Sequence, residues 1–357
     1  MGKSKAIDLI IDVSEAIGLE DAEIAVSLFL PDPANLGDIP VILFAGPGGG
    51  YSRGYFDIHI DGHEGYSEAD FHTAHGFVFV TIDHLGVGDS TTRYNAELRI
   101  ETMAAANDAV VRAIVSRLRD GTLVEGFPAV ANPFVVGSGQ SLGGGITMIM
   151  QGRHQTYQAI APLGISGTHT RLPQPSRELE ARTRSTYVFT RATPNTELVA
   201  KRSKHANPDW RYAFHWDDTP ADILDADMKG GYPKRDTSPP WGSLSLPPCA
   251  IGCNSPHFFA AEVAMIRVPV LLAMGERDVC ADPHREPSEF TASPDVSLYI
   301  VPSMAHMHNF APTRARMWQR LNNWARMIAA DALAAGTDSD AVESPTCGLN
   351  PHDRKPG

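Results

Sequence analysis

Short apolar runs, many of them β-branched, alternate along this chain with segments whose apolar positions recur at three and four residues. The runs at residues 22–30, 40–45, 77–82, 133–137, 159–163, 268–274 and 296–301 have strand length and strand composition. Helical spacing marks 67–75, 96–119, 142–153 and 312–335. In the second of these, Ile100, Met103, Ala104, Val110, Val111, Ile114, Val115 and Leu118 fall on one stripe. Strands alternating with helices predict an α/β fold: a mostly parallel sheet with helices on both faces. No repeat and no heptad pattern interrupts this rhythm.

The rhythm changes between about 167 and 261. That stretch is polar, holds three of the five tryptophans (Trp210, Trp216 and Trp241) and ends in two Pro-Pro pairs. It is too long for a structureless loop inside a compact domain, so a folded lid or cap is expected there. The core of a single domain is then expected from about 20–166 and 262–335. Residues 336–357 are polar and rich in Asp, Pro and Gly and read as a flexible tail.

Composition narrows the partners. A 357-residue chain with 43% hydrophobic and 20% charged residues has ample material for a core. Its net charge of −12 argues against nucleic acid or an anionic membrane surface. The longest apolar runs, such as 268–274, are of strand length, so no membrane span is expected. Asp8 and Asp12 interrupt Leu9-Ile10-Ile11, which is unlike a secretory leader, and Ala6 stands where an acylation signal wants Ser or Thr. The four cysteines (Cys249, Cys253, Cys280 and Cys347) are too few and too scattered for a disulfide framework. Ordinary thiols in a cytoplasmic protein are expected; association into a homo-oligomer is left open.

Candidate chemistry begins at Phe134-Val135-Val136-Gly137-Ser138-Gly139-Gln140-Ser141-Leu142-Gly143. A β-branched strand enters a Gly-x-Ser-x-Gly turn and an apolar helix follows, the context that holds a serine up as a nucleophile. The pentapeptide is expected by chance roughly 0.2 times in a chain with 31 glycines, so partners must decide. A serine hydroxyl needs a neutral imidazole to take its proton, and the imidazole needs a carboxylate to fix its tautomer. Asp278 follows the run 268–274, with Glu276 as a nearer competitor. His306 follows the run 296–301 in a segment of small residues, with His308 as a rival two positions on. An oxyanion needs two preorganised N–H donors. One is expected from Leu142. The other is expected from the loop Gly46-Pro47-Gly48-Gly49-Gly50, where Pro47 has no N–H, Gly48 and Gly49 lead, and Gly46 is the reserve.

With these pieces in the order nucleophile, acid, base, the chain resembles the α/β-hydrolase superfamily. Asp83-His84-Leu85-Gly86-Val87-Gly88-Asp89-Ser90 is similar to that family's Asp-x-x-Gly-x-Gly-x-Ser turn. The chain departs from the family pattern in its glycine loop, which lacks His-Gly, and at His84, where Arg or Tyr is common. The resemblance implies an eight-stranded, mostly parallel sheet with an inserted, mainly helical cap. It also implies Ser141 as nucleophile, His306 as base and Asp278 as orienting acid, with no cofactor and no metal. A small to medium, apolar ester or lactone is the expected substrate. Thioester cleavage, acyl transfer, hydrolysis of a diketone carbon–carbon bond and a non-enzymatic binding role are the competing readings.

Substrate contacts are expected from Trp210, Trp216 and Trp241. With Tyr187, Phe189, Tyr212 and Phe214 these could equally form the insertion's own core. The basic cluster Lys201-Arg202-Lys204 reads as a solvated face. His59 and His63 are spaced as on a zinc helix, but Gly62 lies between them and Ile60 stands where a general-base Glu belongs. These two, with His72 and His75, are therefore expected to be ordinary packed or solvated side chains.

Overall fold

The computed structural model describes residues 4–186, 188–202, 208–232 and 235–342, with side chains except those of 186, 201–202 and 335–342. Eight strands form one sheet: β1 (Ile7–Asp12), β2 (Glu23–Phe29), β3 (Val41–Gly46), β4 (Val78–Ile82), β5 (Phe134–Gln140), β6 (Ala159–Leu163), β7 (Val270–Arg277) and β8 (Val296–Ala305). Their spatial order is β1-β2-β4-β3-β5-β6-β7-β8. The β1–β2 and β2–β4 pairs are antiparallel and every other pair is parallel. The sheet is thus mostly parallel, as the alternation predicted.

The helices are α1 (Ser14–Ile17), α2 (Glu68–Ala74), α3 (Ile100–Arg119), α4 (Leu142–His154), α5 (Arg177–Thr186), α6 (Asn195–Arg202), α7 (Trp210–Phe214), α8 (Ala221–Met228), α9 (Ala260–Val263) and α10 (Arg314–Val342). Helix α4 packs with α3 and α9, and α10 packs with α2. Between these groups β5 is buried at all seven positions, which is why its first half, Phe134-Val135-Val136, is an unbroken apolar run rather than an alternating one. Helix α10 runs past Ala335 to Val342, into the stretch expected as a tail; 343–357 lie outside the described residues.

Strand β1 was not legible as a strand. Its aspartates, Asp8 and Asp12, are the outward residues of an edge strand that needs only one buried face, and Leu9 pairs with Val26 of β2. Three strands also run further than expected. Strand β5 reaches Gln140, β7 reaches Arg277 and β8 reaches Ala305, so the chemistry-bearing residues stand directly at strand ends.

The chain between β6 and β7 carries α5 to α9. Phe214, Ile223, Trp241 and Cys253 from this segment belong to the same hydrophobic cluster as the sheet. Phe189 and Leu198 form a small satellite cluster with Ile251. A buried carboxylate, Asp227 of α8, ties the segment down. It accepts from Tyr51 Oη at 2.8 Å, His215 Nε2 at 2.9 Å and Trp241 Nε1 at 2.9 Å.

Candidate active site

Ser141 stands between β5 and α4 with φ 54° and ψ −115°, a conformation that side chains rarely adopt. Two glycines make the turn feasible. A Cβ on Gly139 would lie 2.3 Å from the Gly143 carbonyl carbon, and one on Gly143 would lie 2.0 Å from the Gly46 oxygen. Strand, helix and glycine loop therefore meet backbone to backbone under the serine. The Ser141 N–H donates to the Leu163 oxygen at 2.8 Å, fixing the strained residue to β6.

His306 Nε2 lies 2.9 Å from Ser141 Oγ, and His306 Nδ1 lies 2.6 Å from Asp278 Oδ1. A carboxylate only accepts, so Nδ1 carries the proton and Nε2 turns its lone pair to the hydroxyl. Both side chains are buried. Asp278 accepts three further bonds: His308 Nε2 at 2.8 Å, Gly275 N at 2.8 Å and Val279 N at 2.7 Å. Burial alone would raise its pKa, but the facing His306 and His308 overcome this and hold the carboxyl well below the usual range. These partners favour the anionic form of Asp278.

The rivals lie elsewhere. His308 binds the other oxygen of Asp278 rather than the serine, in a slot where a Cβ on Gly164 would come within 2.8 Å of its ring. Glu276 accepts from the Ser303 N–H at 2.9 Å, beside the turn that carries the chain to His306. Sequence reasoning missed Gln140, whose Nε2 donates to the His306 carbonyl oxygen at 2.8 Å. Its signal was a polar residue at the end of a fully buried strand.

Leu142 opens α4, so its N–H has no partner within the helix. Gly48 is pressed against the serine: a Cβ there would lie 3.3 Å from Ser141 Cβ and 2.2 Å from Gln140 Oε1. Gly49 lines the cavity beside the serine, and its carbonyl accepts from Tyr232 Oη at 2.7 Å. Gly46 is the last residue of β3 and pairs with Gly139. The loop carrying all three glycines is thus built against the serine turn.

Above Ser141 and His306 lies a narrow cavity with about 50 Å³ of room for water. Trp210, Phe214 and Tyr232 form one wall, their centroids 4.6 to 5.3 Å apart, and Phe214 packs 5.1 Å from the His306 ring. Leu172, Leu246 and Ile251 contribute aliphatic surface. Among the described residues no Asp, Glu, Lys or Arg side chain lines it.

Of the three tryptophans expected at the substrate, only Trp210 lines this cavity. Trp241 is buried, held by Asp227 and packed 5.7 Å from Phe310. Trp216 lies beneath the Arg277 guanidinium, 4.7 Å from it, as does Tyr212 at 4.0 Å. An indole N–H seeks a buried acceptor, and an aromatic face attracts a cation. Tyr187 and Lys204 lie outside the described residues.

The histidines at 59–75 do not converge. His59 pairs with Asp57, His63 with Asp222, and His72 stacks on Phe77 in the core. Among the described residues Asp57, His59 and Asp70 have ligand atoms within 4.8 Å of one another, but the carboxylates already accept from Ser67 and Ser4. Cys249 and Cys253 are buried free thiols, each pushed up to about 12 by burial. Cys347 lies outside the described residues. The Asp83–Ser90 turn is structural at its ends: Asp83 accepts from the Arg53 and Asp89 N–H groups, and Ser90 Oγ donates back to the Asp83 oxygen.

The mostly parallel eight-stranded sheet, with the serine turn after β5 and with Asp278 and His306 following β7 and β8, is the α/β-hydrolase fold, and the chain has that fold. Solved structures agree. A monoglyceride lipase from Saccharomyces cerevisiae superposes with TM-score 0.61 at 12% identity, covering 91% of this chain and 96% of the lipase. A haloalkane dehalogenase loop variant from Bradyrhizobium elkanii gives TM-score 0.59 at 11% identity, covering 93% and 100%. A thermophilic esterase from Thermogutta terrifontis gives 0.55 at 13%, covering 91% and 100%. No family model matches the chain, and no curated protein matches its sequence. Among the described residues no helix is long and apolar enough to cross a membrane.

Proposed function

We propose that this protein is a serine hydrolase that cleaves a small to medium, uncharged carboxylic ester or lactone. The observation that carries the reading is the unbroken relay from Ser141 Oγ through His306 to Asp278, at 2.9 and 2.6 Å, on a strained serine turn. His306 Nε2 takes the proton as Ser141 Oγ attacks the carbonyl carbon, and the anionic Asp278 stabilises the imidazolium. The Leu142 N–H and the glycine loop, with Gly48 and Gly49 foremost, receive the oxyanion. His306 then gives the proton to the departing alkoxide, and water repeats the sequence to free the acid.

The cavity supports the substrate class. With no charged side chain on its described lining it offers nothing to balance a carboxylate or an ammonium, and its aromatic and aliphatic walls suit an apolar acyl group. A cytoplasmic location is part of the proposal.

The test is turnover of a panel of p-nitrophenyl esters, lactones, thioesters and diketones by the native chain and by Ser141→Ala. Ser141-dependent release from esters or lactones supports the reading. Activity retained by Ser141→Ala, or turnover confined to thioesters or diketones, refutes it.

A further inference from the structure

His84 follows Asp83 beyond β4 and takes no part in the proton relay, yet it is buried to 1% exposure beneath the glycine loop. Its Nε2 lies 3.0 Å from the Pro47 carbonyl oxygen, and its Nδ1 lies 2.8 Å from Asn107 Nδ2. A carbonyl oxygen cannot donate, so Nε2 carries the hydrogen. A neutral imidazole has one N–H, so Nδ1 accepts and Asn107 must present its amide nitrogen. Burial lowers the His84 pKa to about 4, which keeps the ring neutral at ordinary pH.

The ring touches the loop twice. A Cβ on Gly46 would lie 2.7 Å from His84 Cε1, so the imidazole packs directly on the strand end. The Pro47 oxygen is also close to the elbow, 2.9 Å from where a Gly143 Cβ would be. In a trans peptide the C=O and the following N–H point to opposite sides. Fixing the Pro47 oxygen at the elbow therefore fixes the plane that carries the Gly48 N–H.

We propose that His84, set in its Nε2–H tautomer by Asn107, is a positioning residue that aims the amides of the Gly46–Gly49 loop at the oxyanion. This rests on the serine-hydrolase reading above. A histidine that merely filled the core would affect folding but not the split between kcat and KM. A loop aimed wrongly loses transition-state binding that the ground-state ester does not use.

The experiment compares His84→Leu, His84→Gln and Asn107→Ala with the native chain on the best p-nitrophenyl ester, together with affinity for an aryl boronic acid. The boronic acid forms a tetrahedral adduct on Ser141 whose oxygen uses the same donors. His84→Leu is expected to lower kcat about 100-fold, the effect of a misplacement near 1 Å, with KM little changed and boronate affinity falling in parallel. His84→Gln, which keeps a donor for Pro47 and an acceptor for Asn107, is expected to recover most of the loss. Asn107→Ala leaves the ring in place and should lower kcat at constant KM, deciding the question if His84→Leu does not fold. Ser141-dependent turnover with kcat within about threefold of native in folded His84→Leu and Asn107→Ala overturns the proposal alone. A native chain without Ser141-dependent turnover removes the hydrolase reading and this proposal together.

Discussion

Replacing Asp278 by Asn changes one atom of the site and reverses the hydrogen-bond arithmetic. The carboxylate accepts four bonds: His306 Nδ1 and Val279 N on Oδ1, and His308 Nε2 and Gly275 N on Oδ2. A carboxamide has one accepting oxygen, so its NH₂ must face two donors whichever way it turns. Two buried groups without proper partners cost about 2–6 kcal/mol of stability. If NH₂ faces His306, the imidazole must take the opposite tautomer and present N–H to Ser141, where it cannot act as base. If NH₂ faces His308, the tautomer survives but the negative charge that stabilises the imidazolium is gone. We expect kcat to fall about 10⁴-fold in the first arrangement, about 5.5 kcal/mol of barrier. The assay is p-nitrophenyl ester turnover with circular dichroism and thermal melting in parallel. Glu276→Gln is the control, because that side chain serves only the Ser303 turn. A folded Asp278→Asn with kcat above about a tenth of native, or an equal loss in Glu276→Gln, would refute the assignment of the acid.

Three further outcomes are expected. His306→Ala should abolish ester turnover, whereas His308→Ala, which removes a donor from Asp278 but leaves the relay, should lower kcat only about tenfold; the reverse ranking in steady-state assays moves the base two residues along. Gly143→Ala should destabilise the protein by about 3 kcal/mol, because the new methyl meets the Gly46 oxygen, and an unchanged melting temperature contradicts the close approach at the elbow. His84 contributes a pH dependence of defined sign. Its pKa is about 4 when folded and 6.5 as a free side chain, so the unfolded chain binds the extra proton between those values. Stability is then full above pH 6.5 and falls by about 3 kcal/mol as pH drops toward 4. Melting curves should show that slope flattened in His84→Gln, and an identical slope in both proteins counts against a buried neutral ring.

Much of this was legible along the chain because it depends on local rules. Continuously apolar strands, one helical stripe from Ile100 to Leu118, and a Gly-x-Ser-x-Gly turn between strand and helix determined the α/β class and the position of Ser141. Chain order supplied Asp278 and His306 as candidates, since strands that end at one edge of a parallel sheet bring their following loops together. Tertiary structure decided what sequence spacing is blind to. His306 and His308 are two residues apart and both reach Asp278, but only one ring continues to the serine. The three tryptophans look alike in sequence; a buried carboxylate took Trp241 and a guanidinium took Trp216, leaving Trp210 at the cavity. Strand β1 stayed hidden because an edge strand with one solvated face need not look apolar. His84 was visible only as an odd residue in a turn motif, and its place under Pro47 exists because β3 and β4 lie side by side in the sheet. Sequence fixes what each side chain can donate or accept; folding decides which partner is within 3 Å when the backbone comes to rest.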